Sequence, residues 1–191
     1  MSCYKIIDFE KFKELKVVLM TDSRFNNILN KWSKGFLYGC KFLQLDISTI
    51  DSPYNDNEEV CKRNIKKNKM FLEKILPPFI STIKTEYFYL FENFNHSVVE
   101  VEKRNFNIEE YIYTVLENGC LVEELKESKL FITSLIPDDP SPSFCISSDY
   151  KMGFIGDAQN NSISVFGDEL IAKVQKVDFE GISNIKVFES I

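Results

Sequence analysis

The spacing of apolar residues divides the chain into a helical first third and a strand-rich remainder. Apolar residues recur at three- and four-residue steps over residues 9–19, and again over residues 25–32 ahead of Gly35. Residues at that spacing share one face of a helix, so both segments are predicted to be helical. Residues 36–48 are apolar and partly aromatic, which favours a strand, and the polar residues 49–59 predict a loop.

The clearest helix is predicted over residues 56–76. Its apolar residues gather on one face, acidic residues stand at its N-terminal end, and Pro77-Pro78 is expected to end it. At about 100° per residue, the opposite face carries five cations over about 160°. These cations are Lys62, Arg63, Lys66, Lys67 and Lys69. The pattern is typical of a solvated outer face, and the alternative is a docking stripe for an acidic partner or a nucleic-acid backbone.

Beyond the prolines the pattern becomes that of strands and turns. Residues 87–91 and 98–102 predict a hairpin with His96 at its tip, residues 107–119 a helix with an asparagine cap, and residues 129–137 a strand. The pattern as a whole predicts an α+β fold. An N-terminal helical region would pack with a mainly antiparallel sheet that carries one or two further helices.

The same pattern bears on domain organisation. A chain of 191 residues with 44% apolar residues is long enough to bury one sizeable core. We expect a single domain over residues 1–191, with an alternative subdomain boundary near residues 77–85, where the predicted long helix gives way to strands.

The segment 150–171 raises the question whether its three glycines and its aspartates form a ligand site. The glycine spacing matches neither of the common phosphate-binding loops. Strand composition at residues 144–147 and 162–166 favours a meander of two or three strands followed by a short helix. The alternative is a divalent-cation site, because hard cations bind carboxylate oxygens. Its candidate ligands are Asp138, Asp139, Asp149, Asp157 and Asp168.

Charge and hydropathy narrow the classes of protein that fit. A net charge of −6 and a pI near 5.0 disfavour a protein that neutralises nucleic-acid phosphates over its whole surface. No apolar run approaches the roughly 18 residues that span a bilayer, and Asp8, Glu10 and Glu14 stand where a signal peptide needs an apolar core. We therefore expect a cytosolic protein with no membrane partner.

Cysteine and histidine usage argues against several chemistries. The five cysteines, Cys3, Cys40, Cys61, Cys120 and Cys145, are too far apart to form the closely spaced ligand pairs of a structural zinc site. We expect free thiols in a reducing compartment. A nucleophilic cysteine would have to use His96, the one histidine of the chain. No catalytic motif is present, so we expect no catalytic residue and no cofactor.

One segment resembles a known family. Residues 135–174 combine a proline-aspartate start, a strand, an Asp-aromatic turn, a Gly-aromatic step and a strand ending in Val165-Phe166-Gly167. These about 40 residues resemble the C-terminal signature of the bacterial family named domain of unknown function 2716. Gly156-Asp157-Ala158-Gln159 replaces the family's His-Pro-Trp turn, and Pro140-Ser141-Pro142 replaces its aromatic pair. The resemblance implies a fold unit and a bacterial or phage origin, and it assigns no catalytic residue.

The leading functional hypothesis is a small acidic cytosolic protein-binding module of the immunity or phage counter-defence type, with another protein as its partner. Its candidate contacts are Asp51, Asp56, Glu58, Glu59, Glu123 and Glu124. Two alternatives stay open. One is a metal- or small-molecule-dependent enzyme or ligand binder at the turns of the C-terminal sheet. The other is a nucleic-acid-binding regulator that uses the basic face of the long helix.

Overall fold

The computed structural model describes residues 4–6, 42–48, 50, 57–92, 98–116, 121–125, 128–131, 135–136, 143–149, 151–157, 159–179 and 185–186. Three helices fall within these residues, namely α1 (Glu58–Thr82), α2 (Ile108–Leu116) and α3 (Asp168–Val174), with a 3-10 turn at Lys103–Asn105. The strands are β1 (Tyr4–Ile6), β2 (Phe42–Asp46), β3 (Tyr87–Glu92), β4 (Val98–Glu102), β5 (Leu121–Leu125), β6 (Ser128–Phe131), β7 (Ser143–Ser147), β8 (Gly153–Asp157), β9 (Ser162–Phe166) and β10 (Ile185–Lys186). The predicted helices over residues 9–19 and 25–32 lie outside the described residues.

Eight of the strands form one sheet in the order β1-β4-β3-β7-β8-β9-β2-β10, and β5 pairs with β6 in a separate hairpin. Every neighbouring pair of strands is antiparallel. The predicted α+β class is therefore confirmed, as is the predicted hairpin of β3 and β4. The strand-rich C-terminal segment forms the predicted meander, β7-β8-β9, with α3 after it.

The main core lies between one face of the sheet and the three helices. Phe154 on β8 pairs across the sheet with Cys145 on β7 and Val165 on β9, so these side chains share one face. That face is buried under apolar residues of the helices. The helical contribution comes from Phe71, Leu72, Ile75, Leu76 and Phe79 on α1, from Tyr111, Ile112, Val115 and Leu116 on α2, and from Leu170, Ile171 and Val174 on α3.

The central strands are buried on their second face as well. Phe144, Ile146 and Ile155 alternate with the residues of the main core, and each is at most 1% exposed. Since successive residues of a strand point to opposite faces, β7 and β8 are covered on both sides. Burial on both faces explains why consecutive apolar residues occur at the centres of these strands, at residues 144–146 and 154–155.

The long helix α1 corrects one prediction, because Pro77 and Pro78 lie inside it and do not end it. A proline inside a helix removes one backbone hydrogen bond and costs about 3 kcal/mol. The turn after the prolines buries Phe79, which lies 5.4 Å, centroid to centroid, from both Phe88 and Phe154. We attribute the continuation of the helix to this tertiary packing, which outweighs the local cost of the prolines.

The predicted strand over residues 129–137 is also too long. The strand ends at Phe131, and Leu135 and Ile136 form a bend. The backbone of Leu135 is satisfied by side chains, since its N–H donates to the Tyr111 hydroxyl at 3.2 Å and its carbonyl accepts from Ser143 Oγ at 3.1 Å. These side-chain bonds take the place of pairing with a neighbouring strand.

Candidate functional site

The three described aspartates of the proposed cation site do not converge. Asp149 lies in the turn before β8 and Asp157 is the last residue of β8, so the two aspartates lie toward opposite ends of this strand, while Asp168 begins α3. Among the residues that the structure describes, no three His, Cys, Asp or Glu side chains are placed to hold a metal. Asp138 and Asp139 lie outside the described residues.

These aspartates instead close turns of the sheet. Asp157 Oδ1 accepts from the backbone N–H groups of Gln159 at 3.0 Å and Asn160 at 3.3 Å, while its Oδ2 accepts from Asn160 Nδ2 at 2.6 Å. Asp149 Oδ1 accepts from Ser147 Oγ at 2.8 Å and from the Lys151 N–H at 3.3 Å. Carboxylates in turns commonly bind backbone donors two or three residues ahead in this way. The turn interpretation of this segment is confirmed for both residues.

The charge state of Asp149 follows from the same contacts. Partial burial acts to raise the pKa of Asp149. The hydrogen bonds from Ser147 and Lys151, together with the positive charge of Lys151, outweigh burial and hold the pKa below its ordinary value. Asp149 is therefore an ionised turn residue and is unsuited to act as a general acid near neutral pH.

The two described cysteines, Cys61 and Cys145, are free thiols. Cys145 is buried on β7 and Cys61 is half-buried on α1. Burial raises the pKa of the Cys145 thiol, which suppresses the thiolate that a nucleophile or metal ligand requires. The expected role of Cys145 as a small buried apolar residue is thus confirmed. Cys3, Cys40, Cys120 and the candidate partner His96 lie outside the described residues.

The acidic contact candidates are only partly described. Glu58 and Glu59 are exposed in the first turn of α1, just after Asn57, whose side chain accepts from the Glu59 N–H at 3.0 Å and the Val60 N–H at 3.2 Å. This cap explains why the helix begins at Glu58 and not at the predicted residue 56. Glu123 and Glu124 are consecutive residues of β5. Asp51 and Asp56 lie outside the described residues.

The predicted basic face of the long helix is present, although it is narrower than expected. Lys62, Arg63, Lys66 and Lys69 are exposed, whereas Lys67 is half-buried. At about 100° per residue, Lys67 projects to the flank of the helix, roughly at right angles to the direction of its buried residues. The basic face therefore consists of four exposed cations, and Lys67 stands at its border.

Two of these four cations form ion pairs within α1, and two do not. Lys62 binds Glu58 at 2.5 Å, and Lys69 lies 3.9 Å from Glu73. Arg63 and Lys66 form no ion pair with any residue in the part of the chain that the structure describes. We call the exposed surface formed by Glu58, Glu59, Lys62, Arg63, Lys66, Lys69, Met70 and Glu73 the charged face of α1. Its two ends are acidic and its centre is basic.

Sequence reasoning missed two features of α1, one on its charged face and one on its buried side. Met70 is 38% exposed, which leaves an apolar side chain at the end of the cationic row. Asn64 and Asn68, in contrast, are at most 1% exposed, on the side of the helix that carries Phe71 and Ile75. Asn64, Asn68, Phe71 and Ile75 are separated by steps of four, three and four residues. This helical periodicity was the sequence signal that could have placed the two asparagines on the buried side. The polarity of asparagine masks this periodicity, because polar residues are more often exposed.

A second surface feature, a groove of about 470 Å³, carries no sequence motif. It is lined by Lys84, Thr85, Glu86, Tyr87, Glu102, Lys103 and Arg104. The three cations already have partners: Lys84 pairs with Glu169 at 3.2 Å, Arg104 with Glu102 at 2.5 Å, and Lys103 donates to the carbonyl of Ile83 at 2.6 Å. Two of the three cations of the groove are therefore paired with carboxylates of the protein itself, and the third is hydrogen-bonded to its backbone.

The remaining expectations concern a membrane and a protein family. None of the described helices is long and apolar enough to cross a bilayer. The resemblance of the C-terminal segment to domain of unknown function 2716 stays a prediction. No family model, no curated protein and no solved structure matches the chain.

Proposed function

We propose that this protein is a binding module of the immunity or counter-defence type, which acts on a partner protein through the charged face of α1 and not by catalysis. The observation that carries the proposal is the pair Arg63 and Lys66, two exposed cations in the centre of the face that have no acidic partner among the described residues. Cations without an internal partner are available to pair across an interface.

The helix is a firm support for such a surface. Its other side buries Phe71, Leu72 and Ile75 completely, so the charged face is fixed relative to the sheet. A face held in place by the core loses little conformational freedom when a partner binds, and this lowers the cost of binding. The acidic residues Glu58 and Glu59 belong to the same face, so the proposed contacts include both signs of charge.

Two observations favour a protein over a nucleic acid as the partner. The net charge is −6, and the four exposed cations are flanked by Glu58 and Glu59 at one end and by Glu73 at the other. A continuous polyanion would meet these carboxylates at both ends of the cationic centre and be repelled there. A protein can place a few carboxylates opposite the centre alone.

The test compares two single charge reversals in capture experiments from a nuclease-treated lysate of the native host. Lys66→Glu lies in the centre of the charged face, and Lys176→Glu is the matched control at another exposed lysine. We expect a stoichiometric protein partner to be retained by the wild type and by Lys176→Glu and lost with Lys66→Glu. Retention of the same proteins by all three forms would contradict the proposal.

A further inference from the structure

We infer that the partner presents an acidic amphipathic helix, which packs along the row formed by Arg63, Lys66 and Met70. This inference rests on the proposed function, and it adds the kind of element that the charged face recognises. Neighbours in the row are three and four residues apart, and the row spans about 10 Å of helix length at about 1.5 Å per residue.

The row has the spacing of a helix-packing seam. Positions i, i+3 and i+7 repeat the alternating three- and four-residue steps at which one helix contacts another. Lys66 points almost directly away from the buried residues of α1, since it is about 200° around the helix from Asn64 at about 100° per residue. All three side chains are exposed in the structure, so a second helix can approach them.

The chemistry of the row determines what the partner helix must carry. Arg63 and Lys66 favour carboxylates on the partner, because neither forms an ion pair with a described residue and complementary charges favour association. Met70 is 38% exposed and offers an apolar, adaptable contact next to them. A partner helix with two acidic residues followed by one apolar residue, at the same spacing, matches all three positions.

The flanking residues restrict where such a helix can carry charge. Lys62 and Lys69 are already held by Glu58 and Glu73. Additional carboxylates beyond the centre would therefore face acidic side chains of α1. The acidic residues of the partner are expected to be confined to about one turn, which distinguishes it from a generally acidic segment.

Synthetic peptides of about three heptads provide the probe. One pair carries Glu, Glu and Leu at successive seam positions, in both chain directions, and the control peptides carry Gln in place of both Glu residues. Binding to the full-length protein is measured by fluorescence anisotropy. We expect a Glu peptide to bind about tenfold or more tightly than its Gln control, because only the carboxylates pair with the two cations.

The protein variants complete the test. Arg63→Glu/Lys66→Glu should remove the preference for the Glu peptide, and Lys176→Glu should preserve it. Equal binding of the Glu and Gln peptides, absence of binding, or the same preference in the double variant would overturn the inference. Tighter binding of a short DNA duplex than of the Glu peptide at physiological salt would also overturn it. If the peptides fail while Lys66→Glu still abolishes capture of a protein from lysate, the helix inference falls and the proposed function stands.

Discussion

Gly153 lies so close to Cys145 across the β7–β8 pair that a methyl group on Gly153 would overlap the carbonyl oxygen of Cys145. The same methyl group would stand 2.9 Å from the Cα atom of Ile146, its partner in the strand register. Both neighbours are backbone atoms of the central strands, which cannot move aside as a side chain can. The glycine thus allows the two strands to approach closely.

Replacing Gly153 with alanine should destabilise the protein by about 2 kcal/mol, the usual scale of overpacking in a filled core. The measurement is the urea midpoint followed by circular dichroism. Gln175→Ala is the control, because Gln175 is exposed at the end of α3. Equal midpoints for Gly153→Ala and the wild type would show that β7 and β8 separate at little cost.

The end of α1 allows a comparison of packing with local helix preference. Phe79→Ala should cost about 3–5 kcal/mol, because the ring is fully buried between Phe88 and Phe154. Pro77→Ala should leave stability unchanged or raise it, since Pro77 is exposed and alanine restores a backbone donor inside the helix. Thermal unfolding of both variants tests this contrast. A larger loss in Pro77→Ala than in Phe79→Ala would contradict the packing explanation.

The helix α1 shows which structural features can be predicted from the sequence and which cannot. Periodicity located α1 and placed Leu72, Ile75 and Leu76 on its buried side, because these features depend on the 3.6-residue repeat. It was less accurate at the edges of the two faces, where Cys61, Ile65 and Lys67 are half-buried. The end at Pro77-Pro78 was wrong, because the helix continues where Phe79 meets two aromatic rings from distant strands. Contacts between distant parts of the chain leave no local signal in one sequence.

The candidate site was predictable to a similar degree. The spacing of the α1 cations was enough to place them on one face. It was not enough to predict which of them form ion pairs within the protein. Glu58 and Lys62 have the four-residue spacing of a helical ion pair and form one. Glu59 and Arg63 have the same spacing but do not pair, so spacing alone does not decide which cation is paired. The exposure of Met70 was equally hidden, since periodicity does not show where neighbouring elements leave a helix uncovered. The groove beside Tyr87 is formed by residues about 20 positions apart and has no linear motif.

Asp149 should make stability depend on pH in the acid range. Its pKa is lowered in the folded protein, so ionised Asp149 stabilises the fold above its unfolded value of about 3.9. This contribution is lost as the pH falls through the lowered folded pKa. Asp149→Asn should therefore be less stable than the wild type at pH 7, and the difference should close as the pH falls below about 3.9.

Urea midpoints at pH 7 and at successively lower pH measure the effect of Asp149→Asn. Glu86→Gln serves as the control, because Glu86 is exposed and its side chain lines only the surface groove. A stability difference for Asp149→Asn that stays constant from pH 7 down to acid pH would mean that the charge of Asp149 contributes nothing to the turn.

Cys145 and Cys61 should differ in their reactivity toward alkylating agents. Cys145 is 1% exposed, and burial raises its pKa, so it has neither access to reagent nor a significant thiolate population. Cys61 is half-buried on α1 and more accessible.

In native protein treated with iodoacetamide at mildly alkaline pH, mass spectrometry of peptides should find Cys61 labelled and Cys145 unlabelled. Both should react in denaturant, which controls for the intrinsic reactivity of each peptide. Labelling of Cys145 at the rate of Cys61 in native protein would mean that β7 opens readily, in conflict with its burial on both faces.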